Sequence, residues 1–138
     1  MTTLLRLSLW AMVAAVATGC SDAATPTSAT STTEPITAFT FSSTFTARGS
    51  ASRSFTSIAP GEIALTLTAA SPDVRLGIGV GIPRPDGSGC NLTQAAEVGA
   101  GSGPHITIAA DPGTWCVRVY DLGSVSERVA FSLDVTHF

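Results

Sequence analysis

From Ile36 to the C-terminus, apolar side chains return at every second position in short runs punctuated by glycine and proline, a rhythm that fits extended strands. A helix would need a repeat of 3.6, and no window of this region carries one. Phe39, Phe41 and Phe45 share one parity, Arg48-Gly49-Ser50 interrupts them, and residues 52–58 form a weaker run. After Pro60-Gly61, Ile63, Leu65 and Leu67 alternate with Thr66 and Thr68 until Ser71-Pro72-Asp73 turns the chain. Val74, Leu76, Ile78, Val80 and Ile82 then face one way, and Arg75, Gly77, Gly79 and Gly81 the other. A turn cluster at 83–89 leads into Cys90, residues 97–104 (EVGAGSGP) read as a long glycine-rich loop, and His105 begins a short strand with Ile106 and Ile108 inward. Asp111-Pro112-Gly113 is a tight turn. Beyond it Trp115, Val117 and Val119 point inward against Cys116, Arg118 and Tyr120, and Val129, Phe131, Leu133 and Val135 form the inner face of the last strand. The expected fold is all-β, an antiparallel β-sandwich or jelly-roll-like arrangement of about seven to nine short strands over residues 36–138.

The glycines at 77, 79 and 81 weaken a strand interior unless something lies close against its backbone. A covering loop or an aromatic ring is the structural reading, and a smooth platform for a ligand the functional one.

Ahead of this domain stand two segments of different character. Residues 1–19 have a short start with one positive charge, Arg6, and an apolar run of about eleven residues, too short to cross a bilayer. Ala17-Thr18-Gly19 then precedes Cys20, which reads as a bacterial lipoprotein signal peptide with the lipidated cysteine behind it; ordinary secretory cleavage nearby is the rival reading. Residues 21–35 (SDAATPTSATSTTEP) hold no aliphatic side chain larger than alanine and read, with Cys20, as a disordered tether. Such a tether spans about 20 Å on average. The expected location is the cell envelope, anchored by lipid to the outer membrane or to the outer face of the plasma membrane, and Ser21 after the cysteine suits transport to an outer membrane.

With Cys20 acylated, Cys90 and Cys116 remain, and in an oxidising compartment the expectation is one disulfide. Two free thiols or a metal pair are the alternatives, the last without other Cys or His at ligand spacing. Parity places Cys116 opposite Trp115, so the bridge would run across the outside of its strand. The chain has no lysine, and without Arg6 six basic side chains face ten acidic ones. A phosphate backbone needs a positive stripe, so nucleic acid is not an expected partner.

The segments EIALTLT, DVRLGIGVG, DPGTWCVRVYDLG and VAFSLDVTH together resemble the bacterial pre-peptidase C-terminal domain and its secreted relatives over residues 39–138. The resemblance implies a compact β-sandwich that serves secreted enzymes as an accessory module in secretion, localisation or polymer binding. No peptidase accompanies it in this sequence. Some relatives hold calcium through an acidic linker, but here that stretch offers only Glu34, so no metal or other cofactor is carried over. The cysteine pair also lies outside the family pattern.

Chemistry is hard to find. His105 and His137 have no partner at useful spacing, and Ser88 and Ser102 lack the G-x-S-x-G frame of a nucleophile elbow. No zincin helix, P-loop or dinucleotide fingerprint is present. Asp86, Asp111 and Asp121 sit in turns, where an aspartate bonds its own backbone more often than calcium. Arg118 and Tyr120, two residues apart on the face away from the core, form with Arg75 the candidate binding surface. The expectation is a non-catalytic envelope lipoprotein binding an extracellular polysaccharide or protein; a component that covers a partner's strand edge, or a small hydrolase, are the alternatives.

Overall fold

The computed structural model describes residues 35–138. Cys20 and the segments read as leader and tether, as far as residue 34, lie outside the described residues. Eight strands follow in order: β1 (Thr37–Phe45), β2 (Ser50–Ser57), β3 (Gly61–Ser71), β4 (Leu76–Pro83), β5 (Cys90–Val98), β6 (Ile106–Ala110), β7 (Gly113–Tyr120) and β8 (Val129–His137). They form two antiparallel four-stranded sheets, β1-β8-β3-β6 and β2-β7-β4-β5, and the described residues are a β-sandwich.

The core is the alternation made solid. Ile63, Leu65 and Leu67 of β3 and Leu133 and Val135 of β8 meet Leu76, Ile78 and Val80 of β4 and Val117 and Val119 of β7, all fully buried. Phe131 fills one end, edge-on to Phe41 at 5.3 Å and tilted against Phe45 at 5.8 Å. At the other end His137 continues the inward parity of β8 and packs against Phe55, 4.8 Å away, and Phe39, 5.9 Å away. That parity, legible in the sequence, puts this strand-end histidine inside the sandwich and not on its surface.

Three details depart from the sequence reading. Residues 90–98 form β5, where the alternation marks no strand and Glu97 reads as the start of a loop. A register shift near Thr93 moves the residues facing away from the core from Cys90 and Leu92 to Ala95 and Glu97, which breaks the period in mid-strand. Val74 precedes β4 instead of belonging to it, although it packs on the core. Ile82 keeps its inward parity but is 48% exposed, next to the last residue of β4.

Asp121 ties together the loops at the end opposite to His137. Its Oδ2 accepts the N–H of Arg48 at 2.7 Å, and Oδ1 accepts those of Gly123, Ser124 and Val125 at 2.7, 3.0 and 3.0 Å. The grip on Arg48 fixes a residue in the left-handed region, at φ 60°. These donors, the Arg48 N–H foremost, hold the carboxyl below its ordinary 3.8 and outweigh the cost of partial desolvation. A carboxyl whose folded-state pKa is depressed stabilises the fold in full above its unfolded value and loses that contribution as pH falls through the folded one. Melting temperature is therefore expected to fall more steeply below pH 3.8 in the native protein than in Asp121→Asn. Parallel thermal melts of the two across that range check the result.

Candidate functional site

The face of the β2-β7-β4-β5 sheet that points away from the core carries the sequence-derived candidates. Gly77, Gly79 and Gly81 of β4 are buried on it, because side chains from both neighbouring strands lie over them. The ring of Tyr120, paired with Gly77 across β4 and β7, lies so close to that glycine that a Cβ there would penetrate it. Leu92 of β5 reaches over Gly79, its Cδ1 only 2.7 Å from where a Cβ would stand. Gly81 is closed by the backbone of Asn91. The aromatic-ring reading of the glycine series thus holds at Gly77, while a leucine and a strand backbone cover the other two.

Beside this floor Cys90 and Cys116 form a disulfide that joins the start of β5 to β7. Both half-cystines are buried, and Cys116 shares the outward parity of Arg118 and Tyr120. Trp115 points inward and is half-buried, its indole N–H donating to the Asp111 carbonyl at 3.0 Å.

Arg118 pairs with Gly79 on one side and Ser52 on the other, which places it in the middle of the sheet. Its Nη2 donates to Ser50 Oγ at 2.9 Å, and its guanidinium carbon lies 5.9 Å from the Tyr120 ring centroid. Nε is sealed from solvent with no acceptor, the one side-chain nitrogen or oxygen in that condition among the described residues. An unmet donor on a charged group costs free energy until an acceptor reaches it. Arg75 is differently engaged: it donates to Glu97 Oε1 and to the Glu97 carbonyl, each at 2.9 Å, on an exposed rim where such pairs contribute little stability. Glu97 pairs with Gly77, which itself pairs with Tyr120, so all three candidates border one patch. Glu97 is the member the sequence reading missed, and its recognition required β5 to be seen as a strand.

Two other polar groups singled out in the sequence, His105 and Asp86, are bound into the fold. His105 Nδ1 accepts the Leu67 N–H at 3.1 Å, so that nitrogen carries no proton in this geometry. Asp86 accepts the Ser88 N–H at 2.9 Å, which with the Ser88 side chain and Arg84 holds its carboxyl below the ordinary value. Among the described residues no three His, Cys, Asp or Glu side chains come together as metal ligands would. On the opposite sheet small polar residues of the outward face pair across β1 and β8, Thr40 donating to the Asp134 carboxylate at 2.7 Å and Ser42 bonding Ser132 at 2.9 Å.

No protein-family model matches the chain, and no curated protein matches it. Its fold is similar to the crystal structure of the Yersinia pseudotuberculosis-derived mitogen, with a TM-score of 0.52 and 14% identity over 74% of this chain and 86% of that one. At that identity the likeness is one of β architecture alone.

Proposed function

We propose that this chain is a non-catalytic lipoprotein of the bacterial cell envelope, anchored through Cys20, whose sandwich serves as a binding module of the pre-peptidase C-terminal type. Its partner is an extracellular polysaccharide or protein, held on the Arg118–Tyr120 face. The observation that carries this reading is the guanidinium of Arg118 set beside the Tyr120 ring on a floor of buried glycines. Arginine and tyrosine are the residue types that concentrate binding energy in protein interfaces, and Tyr120 offers its face at little entropic cost because the glycine floor already fixes it.

Retention of the protein on columns of envelope polysaccharide and of solubilised envelope protein tests the reading. Arg118→Ala and Tyr120→Ala are each expected to weaken retention by about tenfold, roughly 1.4 kcal/mol, with the fold retained by circular dichroism. Native-strength retention of both variants would remove the site. Radiolabelled palmitate that enters the native chain and is absent from Cys20→Ser tests the anchor. A turnover abolished by His105→Ala would instead make the protein an enzyme.

A further inference from the structure

Strand pairing gathers the open ends of the sandwich into two unlike groups. Thr37 pairs with His137 and Ser57 with Gly113, Gly81 pairs with Cys116, and the Ile58 N–H donates to the Phe138 carbonyl at 2.9 Å. Ile36, Ile58 and Ile82 therefore lie at one end of the molecule, together with Trp115. Among the described residues these isoleucines are three of the four large hydrophobic side chains left exposed, at 64%, 69% and 48%. The opposite end carries Leu122 alone, among the loop charges of Arg48, Asp73, Asp121, Glu127 and Arg128.

Covalent continuity brings the tether in at the apolar end, since Pro35 and Ile36 lead directly into β1. We propose that this end is a membrane-contacting surface: Ile36, Ile58 and Ile82 rest in the lipid headgroup boundary, and the domain lies on the bilayer with the Arg118–Tyr120 sheet held side-on to it. The proposal rests on the lipid anchor at Cys20. Fifteen residues separate Cys20 from Ile36, so this is the end of the domain at which the chain from the anchor enters. Tethering also raises the domain's local concentration at the bilayer, so a small apolar contact too weak to recruit a soluble protein becomes effective. Arg84, Asp86 and Asp111 rim this end in turns, so the contact is shallow and its attraction apolar rather than ionic.

The sequence supplies the probe. Trp10 lies in the segment read as a leader, so Trp115, at the contacting end, is the single tryptophan of the processed chain. The full-length lipoprotein, purified in detergent and reconstituted into phosphatidylethanolamine–phosphatidylglycerol vesicles, would be compared with and without phosphatidylcholine brominated near the headgroup. Trp115 emission is expected to be quenched, equally at low and high salt, and quenching is expected to be lost in the combined Ile36→Ser, Ile58→Ser, Ile82→Ser variant, whose circular dichroism would verify the fold. Palmitate-labelled protein without quenching, or quenching that survives the triple substitution, overturns the proposed contact while leaving the anchor standing. Protein that takes no palmitate overturns the anchor and this contact with it.

Discussion

Loss of the Cys90–Cys116 bridge is expected to lower the melting temperature by roughly 15 °C. The bridge closes a loop with a sequence separation of 26, which in the chain-entropy account stabilises a fold by about 3 kcal/mol. For a domain of about 100 residues each kilocalorie shifts melting by about 4–8 °C. The location adds to the effect, because the bridge holds the start of β5, an edge strand most of whose residues are exposed. Cys90→Ala/Cys116→Ala is the informative variant, since it removes the crosslink without leaving buried hydroxyls. Calorimetry of this variant beside the native protein, each with and without reductant, checks the expectation. A native protein insensitive to reductant, with a variant melting within a few degrees of it, would mean that β5 is secured by its pairing with β4 alone. Loosening of β5 should also release Leu92 from Gly79 and disturb the floor of the Arg118–Tyr120 face, so stability and binding are expected to fall together.

What the sequence made legible follows from where each strand sits. β3, β4, β7 and β8 occupy the middle of their sheets, with one face against the core, and their alternation is clean, in β3 as far as the register shift after Leu67, because a slip of one residue would expose every apolar side chain at once. β1 lies at an edge but announces itself through Phe39, Phe41 and Phe45. β5 has neither advantage: it is an edge strand with much of its surface in solvent, and its register shift divides what alternation it has into two halves of opposite parity. Glu97 and the covering role of Leu92 were lost with it. The parity argument did locate Arg118 and Tyr120 on one face and Cys116 beside them, since outward residues two apart on a central strand must be neighbours. It could not show which cation was already engaged. Arg75 and Arg118 look alike in sequence, and only the three-dimensional pairing gives one a carboxylate and the other no more than the Ser50 hydroxyl.

Gly81→Ala is expected to destabilise the domain by about 3 kcal/mol, whereas Gly99→Ala should leave it unchanged or stabilise it by about 0.5 kcal/mol. A methyl group at Gly81 would enter the backbone carbonyl of Asn91, and backbone, unlike the end of a flexible side chain, has no rotamer by which to withdraw. Relief requires β4 and β5 to part beside the disulfide. At Gly99 a Cβ meets nothing within 4 Å, and no positive φ marks the position, so alanine there acts through the unfolded chain by narrowing its conformations. The two substitutions alter composition identically, so a difference between them in chemical denaturation compares the closed position in β4 with an open one just beyond the end of β5. Gly77→Ala should lie between, because the obstructing group is the Tyr120 ring, which can swing aside at the cost of its place next to Arg118. That variant is therefore expected to lose less stability than Gly81→Ala and as much binding as Tyr120→Ala. Equal stability of all three variants would show that the strands separate freely enough to admit a side chain, and the argument for a pre-formed binding floor would go with it.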